Sequence, residues 1–500
     1  MPTNMSLKPN PLEQYLEKPA QEFTKQDIIK YIEENGIKML NFRYIGGDGK
    51  LKCLNFVISG KEHLDSILSS GERVDGSSLF QHIDAQSSDL YVVPRYRTAY
   101  LNPFAEIPTM DLLCSFFDKN GDPLESSPEY IMQKAVQVLK EKTGFDIETM
   151  GELEYYIISP KDELYLGENQ HGYHESTPFA KWEHLRTEAM YAIAQAGGKI
   201  KYGHSEVGNF TDEHFLYEQN EIEFLPTTPE NAADQLLIAK WILRTLAAKY
   251  NVSVTFAPKI SIGKAGSGLH IHSRLMKDGK NQLIQDGHLT EAAYRMIAGY
   301  LTLAPSLTAF GNTTPTSYFR LVPNHEAPTT ICWGDQNRSA LVRVPLGWTT
   351  QKSMALQANP LETENAHDFS QKQTIEIRSP DGSANVYLLM AGLAVAARHG
   401  FEMEDALKIT EEKYVRGNVF HEEQHNPTHA LTHLPQSCHE SALRLDEQRA
   451  IYEKYGVFDR FMIDGTIKML RSYQDENLRN AVEGNNKEIM QFVRQYFHCG

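Results

Sequence analysis

Cysteine is scarce in this chain. The five residues Cys53, Cys114, Cys332, Cys438 and Cys499 are odd in number, scattered and without CxxC spacing. That excludes a disulfide framework and a thiolate metal centre, and predicts reduced thiols in a cytoplasmic setting. Long apolar runs are missing too. The longest, Leu388 to Ala397, contains a glycine and falls far short of the ~20 residues a membrane span needs. The N-terminal stretch MPTNMSLKPNPLEQ has no apolar signal-peptide core. Positive charge is in deficit: 49 Lys and Arg against 65 Asp and Glu, a formal net charge of -16, which argues against a nucleic-acid partner. No internal repeat or low-complexity tract is visible. With 500 residues, 41% of them hydrophobic, the chain is long enough for at least two domains with a large core.

Residues 1–22 read as an N-terminal extension. Thr24-Lys25-Gln26-Asp27 has the form of a capping box opening a helix that stops at Asn35-Gly36. Two alternating runs, 37–45 and 51–58, flank Gly46-Gly47-Asp48-Gly49 and predict a β-hairpin. Strands are expected at 90–94 and 112–117, making 23–120 a small α+β domain. Asn120-Gly121-Asp122-Pro123 punctuates the chain, and 125–500 reads as a longer α+β domain. Helices are expected there over 128–142, 229–249, 289–303 and 387–398, with mostly helical, charged sequence after about 400.

The most informative pattern is a repeated triplet. Glu152-Leu153-Glu154, Glu221-Ile222-Glu223 and Glu376-Ile377-Arg378 each alternate ionic, apolar, ionic, and His270-Ile271-His272 does so with imidazoles. In a strand, residues i and i+2 share a face, so each triplet offers two polar groups on one side. One such strand is the ordinary signature of a wet sheet face. Four of them, flanked by Tyr155, Phe224, Leu269 and Ile375, predict one pocket, because buried carboxylates need cations or metals to compensate them. Carboxylates with an imidazole suit Mg²⁺ or Mn²⁺. Arg320, Arg338, Arg343 and Arg378 stand among apolar neighbours, and guanidinium forks hold carboxylate and phosphate bidentately. Gly263-Lys264-Ala265-Gly266-Ser267-Gly268 is neither a Walker loop nor a Rossmann fingerprint, but its amides precede His270. His421, His425, His429 and His433 recur every four residues, yet Pro427 interrupts any helix, so a polar loop is expected.

Asp75-Gly76-Ser77-Ser78, Gly151-Glu152-Leu153-Glu154-Tyr155, Gly266-Ser267-Gly268-Leu269-His270, Asn324-His325-Glu326-Ala327-Pro328, Asn337-Arg338-Ser339-Ala340 and Glu376-Ile377-Arg378-Ser379-Pro380-Asp381 follow one another in a fixed order. Together they resemble the motif series of bacterial type I glutamine synthetases, the glutamate–ammonia ligases, over roughly residues 24–400. The resemblance implies an α+β fold: an N-terminal β-grasp domain, then a glutamine synthetase/guanidino kinase-like catalytic domain with a curved antiparallel sheet. It also implies a homo-oligomer, a dodecamer of two stacked hexameric rings, with sites between neighbouring subunits.

Carried over by position, the resemblance implies at least two Mg²⁺ or Mn²⁺ ions. One would be held by Glu154, Glu206 and Glu221, the second by Glu152, His270 and Glu376. ATP would meet Arg338 and Arg343, with His272 and Arg274 in the nucleotide-contacting segment. L-Glutamate would meet Gly266, Arg320, Glu326 and Arg378. Ammonium would meet Asp75 and Tyr173, and the catalytic residues would be Asp75, Glu326 and Arg338. The chain departs from the family in places: Glu206 and Glu221 are further apart than usual, Ala265 replaces an asparagine, and Gln373 and Thr374 replace basic residues. The activities left open are glutamine synthesis, a γ-glutamyl ligase taking an organic amine, and a catalytically inactive ring-forming relative. A guanidino-type phosphotransferase fits the motifs poorly.

Overall fold

The computed structural model describes residues 7–80, 83, 88–322, 327–345, 354–363, 370–417, 419, 431–478 and 486–500, with the side chains of 486–488 excepted. The capping box forms as expected. Thr24 caps the helix Lys25–Glu34 and Asp27 bonds back to the Thr24 amide, while Gly36 follows with φ +64. That helix and Lys61–Ser70 cover one sheet. Its strands are β1 (Met39–Ile45), β2 (Leu51–Val57), β3 (Glu72–Asp75), β4 (Asp89–Pro94), β5 (Tyr100–Leu101) and β6 (Thr109–Phe117). The order is β2-β1-β6-β4-β3, with β5 beside β6; β1 runs parallel to β6 and antiparallel to β2. Leu40, Phe42, Leu112 and Phe116 alternate into its core, which Leu12 of the N-terminal stretch and Phe23 also join. Burial of such side chains stabilises by about 1.5–3 kcal/mol each.

The second sheet has nine strands. These are β7 (Asp146–Pro160), β8 (Ile200–Thr211), β9 (Phe215–Phe224), β10 (Ser253–Thr255), β11 (Leu269–Lys277), β12 (Lys280–Asn281) and, past the small hairpin of β13 (Ile284–Gln285) and β14 (His288–Leu289), β15 (Trp333–Asp335), β16 (Val342–Val344) and β17 (Ile375–Ile377). The order is β15-β16-β17-β11-β7-β9-β8, with β10 beside β7 and β12 beside β11. All pairings are antiparallel except β15 with β16. Helices Pro128–Thr143, Glu183–Gln195, Pro229–Lys249, Glu291–Gly311 and Val386–Glu402 bury their apolar residues in one core with one face of this sheet. The expected helix starts agree to within two residues, with Thr228 capping Asn231 and Thr290 capping Ala293, whereas Glu291–Gly311 and Val386–Glu402 run well past their expected ends at 303 and 398. Among the described residues no helix is long and apolar enough to cross a membrane.

The first sheet is clamped to the helices of the second by charge. Arg95, just after β4, donates to Glu230 (2.8 Å) and Asp234 (2.9 Å), and Arg97 donates to Asp234 (3.0 Å). The Tyr387 hydroxyl also donates to Asp234. Arg43 lies 3.9 Å over the Trp241 ring.

Candidate active site

Alternation along the strands divides the large sheet into two faces. Leu153, Ile222, Ile271 and Ile377, all fully buried, point into the helical core. The opposite face carries the polar partners of each triplet, and the registers place them side by side. His204, Glu221 and Glu154 form one row across β8, β9 and β7. Tyr202, Glu223, Glu152 and His270 form the next, continuing to β11. His272 pairs with Glu376, which pairs with Arg343. The four ionic strands are therefore adjacent, as their sequences predict.

Glu152, His270 and Glu376 present donor atoms within 4.8 Å of one another. His270 Nδ1 is 3.0 Å from Glu152 and 3.7 Å from Glu376. His272 joins them, its Nε2 2.8 Å from Glu152 and its Nδ1 2.8 Å from the Thr374 hydroxyl. Both oxygens of Glu376 are engaged, by Arg378 at 2.6 Å and Arg343 at 2.9 Å. Burial alone would raise the Glu152 carboxyl, but the two imidazoles hold it well below the usual carboxylate range. For Glu376 burial is likewise outweighed, chiefly by Arg378. Burial disfavours the charged His272 ring, yet Glu152 raises it overall.

Glu154, Glu206 and Glu221 are arranged more loosely. Glu154 accepts from the Gly268 amide at 2.8 Å and from Gln219 at 3.3 Å. Glu206 sits where β8 bulges between Ser205 and Asn209, its carboxylate accepting the Val207 amide at 2.9 Å. Glu154 and Glu206 line a cavity of about 200 Å³ with Gly266, His270, Arg320 and Arg378. Glu221 instead clusters with His204 and Glu223, again within 4.8 Å. Burial pushes Glu221 well above the ordinary range, and Glu152, Glu154, Glu206 and Glu223 all add to it. Burial also raises Glu154, with Glu206 adding to it and His270 opposing. Crowded carboxylates of this kind, with imidazoles and no thiolate, have the chemistry of a hard divalent-cation site. The residues fit the ions that the sequence implies.

Gly266 and Gly268 are dictated by a close approach. A Cβ on Gly266 would stand 2.6 Å from the Pro258 carbonyl and 2.9 Å from Arg320, and one on Gly268 2.6 Å from the Arg320 guanidinium. Arg320 is buried and donates to the carbonyls of Arg378, Ser379 and Pro380. Its guanidinium thus braces the end of β17 against His270 as well as facing the cavity. Arg274 is tied to Glu148 at 2.8 Å. Arg338 is exposed on the turn between β15 and β16, apart from the buried arginines. Asp75 is exposed and caps a single helical turn, accepting from Ser77 and Ser78. Those hydroxyl bonds lower its carboxyl to about 2. Tyr173 is half-exposed and stacks on His174 at 4.2 Å, with its edge 5.3 Å from His204. Glu326 lies outside the described residues, as do His421, His425 and His429.

His204 and Tyr202 belong to this face, though no motif singles them out. Their signal was the i+2 spacing of Tyr202, His204 and Glu206. The long stretch between Glu206 and Glu221 is absorbed as the β8–β9 hairpin, closed by Asp212 accepting the His214 and Phe215 amides. Within it Glu218 turns to the other face and accepts the amides of Lys181 and Trp182. Burial raises its carboxyl to about 7. A raised carboxyl favours the folded state while protonated, so this contribution is present below about pH 4.5 and is lost as pH rises through 7. Glu218→Gln should flatten that loss, on the order of 3 kcal/mol, in denaturant titrations compared at pH 5 and pH 8.

Comparison with known proteins follows the same division. The glutamine synthetase catalytic-domain model matches residues 125–488, and the glutamine synthetase beta-Grasp model matches residues 36–119. The chain belongs to the glutamine synthetase family. Its relatives include the glutamine synthetase of Clostridium saccharobutylicum, 28% identical over 87% of this chain and 92% of that protein. The glutamine synthetase of Thermus thermophilus is also 28% identical, over 88% of this chain and 94% of that protein. Among solved structures, a cryo-EM structure of Plasmodium falciparum glutamine synthetase matches with a TM-score of 0.73 and 21% identity, covering 91% of this chain and 97% of that one. Apo GmaS without ligand matches at 0.71 and 18%, covering 92% and 100%. The fold is thus that of a glutamine synthetase family member, a β-grasp domain before a catalytic domain, and the family is one of ligases.

Proposed function

We propose that the protein joins an amine nitrogen to the γ-carboxylate of L-glutamate at the expense of ATP, with ammonium as the amine and glutamine as the product. The observation that carries this reading is the meeting of Glu152, His270 and Glu376 beside Arg343 and Arg378 on one sheet face. A γ-carboxylate is a poor electrophile. Its oxygen attacks the γ-phosphorus of ATP, the bond to ADP breaks, and γ-glutamyl phosphate results. The amine nitrogen then attacks the acyl carbon, phosphate departs with the bonding pair, and the nitrogen loses a proton. Divalent ions bound by the two carboxylate sets would neutralise charge on the phosphoryl oxygens, where most of the catalysis of such transfers lies.

The chain's own groups take the remaining roles. Arg343 has a buried Nε without a hydrogen-bond partner among the described residues and stands beside Glu376, and with Arg338 it would meet phosphate. Arg320, Arg378 and the Gly266 amide region surround a cavity suited to the glutamate carboxylates. Asp75 of a neighbouring subunit, ionised across the physiological range, would attract ammonium and accept its proton, with Tyr173 nearby. Glu326 would close over the acyl phosphate and exclude water. We further propose domain limits of 1–22, 23–120 and 125–500, a cytoplasmic setting and a dodecamer.

A second reading has a specific observation in its favour. Tyr173, His174, His204 and Tyr202 form a continuous run of rings beside Glu221 and Glu223, a surface that suits an organic ammonium through cation–π and charge contacts. Purified protein with Mg²⁺ or Mn²⁺, ATP and glutamate should release phosphate with ammonium and form glutamine. Phosphate release with organic amines alone would replace ammonium as substrate. No release with any amine, together with no Mn²⁺ or ATP binding by calorimetry, would mean an inactive relative.

A further inference from the structure

His204 stands outside the ligand sets above, yet its surroundings are those of a metal-bound imidazole. Its Nδ1 lies 3.0 Å from the Ser205 carbonyl oxygen, so Nδ1 donates there and Nε2 is the ring nitrogen turned towards the carboxylates. A backbone carbonyl at one ring nitrogen is how proteins orient a ligating imidazole. Nε2 faces Glu221 Oε1 at 3.7 Å, beyond hydrogen-bond range. Two donors each ~2.1 Å from a shared ion stand ~3.0–3.4 Å apart, so a shift of a few tenths of an ångström would bring both onto one ion. The Glu221 side chain is only 9% exposed and accepts no hydrogen bond among the described residues. A buried carboxylate left in that condition is costly unless a proton or a cation meets it. Glu223 completes the group within 4.8 Å, although Lys201 and Tyr202 already partly neutralise it. The His204 ring is held in place by His174 at 4.4 Å, Tyr173 at 5.3 Å and Tyr202 at 5.9 Å.

We infer that His204 and Glu221, with Glu223 behind them, form a nitrogen–oxygen cation subsite in this chain. The subsite prefers Mn²⁺ or a similarly borderline ion over Mg²⁺, since imidazole suits the transition metals and Mg²⁺ prefers oxygen. The inference rests on reading the acidic face as a divalent-cation centre. A simple His204 ion pair with Glu206 and Glu221 is the competing account, and it places no nitrogen on a metal.

Pulsed electron paramagnetic resonance of the full chain loaded with Mn²⁺ separates them, because a directly bound imidazole nitrogen modulates the echo. Wild type carrying ¹⁵N-histidine should show two coordinated nitrogens. His204→Gln and His270→Gln should each show one, and the double variant none. His204→Gln should also lower the ratio of Mn²⁺ to Mg²⁺ affinity at least ~10-fold by calorimetry. A single coordinated nitrogen in wild type, lost entirely in His270→Gln while Mn²⁺ still binds, overturns the subsite and leaves the cation centre standing. Wild type that binds no Mn²⁺ overturns both.

Discussion

Glu376→Gln should abolish turnover, lowering kcat by at least ~10²-fold in the phosphate-release assay, while the protein still folds. Glu376 is fully buried, and among the described residues it alone meets Arg343, Arg378 and the two imidazoles of β11. The amide keeps the shape and one acceptor for the arginines but loses the charge that a cation would need. The choice of glutamine matters. Alanine would strand two buried or half-buried guanidinium groups, and the resulting instability would be mistaken for lost chemistry. Circular dichroism and size-exclusion profiles matching wild type, with no turnover, would support the role. Normal turnover would show that Glu376 serves only to pair arginines.

Asp234→Ala should produce the largest loss of stability, about 3–5 kcal/mol in denaturant titrations, because it removes the common partner of Arg95, Arg97 and Tyr387. Arg95 is mostly buried, and the neighbouring Asp234, Tyr387 and Glu230 raise its pKa well above the ordinary value, against burial. Left with Glu230 as its one carboxylate partner and the Tyr387 hydroxyl, it keeps much of its desolvation penalty. The cluster joins the first sheet to helices Pro229–Lys249 and Val386–Glu402, so the β-grasp domain should loosen first. The double variant Arg95→Met, Asp234→Leu should recover part of the loss by substituting packing for charge. A loss below ~1 kcal/mol in Asp234→Ala would place the clamp with the weak surface ion pairs.

The chemistry of this chain was legible wherever a period of two met a buried sheet. Leu153, Ile222, Ile271 and Ile377 had to face a core, which forced Glu152, Glu154, Glu221, Glu223, His270, His272 and Glu376 onto the opposite side. Helix starts were equally readable, since Thr24 and Thr228 each sit three residues before the amide they cap. What escaped was decided by long-range partners. Polar alternation on the edge strand β8 reads as solvent exposure, so the i+2 spacing of Tyr202, His204 and Glu206 marks a shared face without showing that it meets Glu223 and Glu221. The bulge that displaces Glu206 depends on β9 and cannot be read from β8 alone. The arginine at 320 promised a substrate contact. It lines the cavity, and its donors also brace carbonyls at 378–380, a second role that only the fold reveals.

The order of the strands along the chain has a temporal consequence. The donors of the acidic face come from positions 152, 154, 204, 206, 221, 223, 270 and 376, and β17 must slot between β11 and β16 to supply the last of them. During synthesis on the ribosome, most of the carboxylates emerge long before Glu376 and its arginines. Until that late strand docks, the nascent chain holds an unbalanced patch of negative charge, and closing so long a loop makes this one of the slower steps of folding.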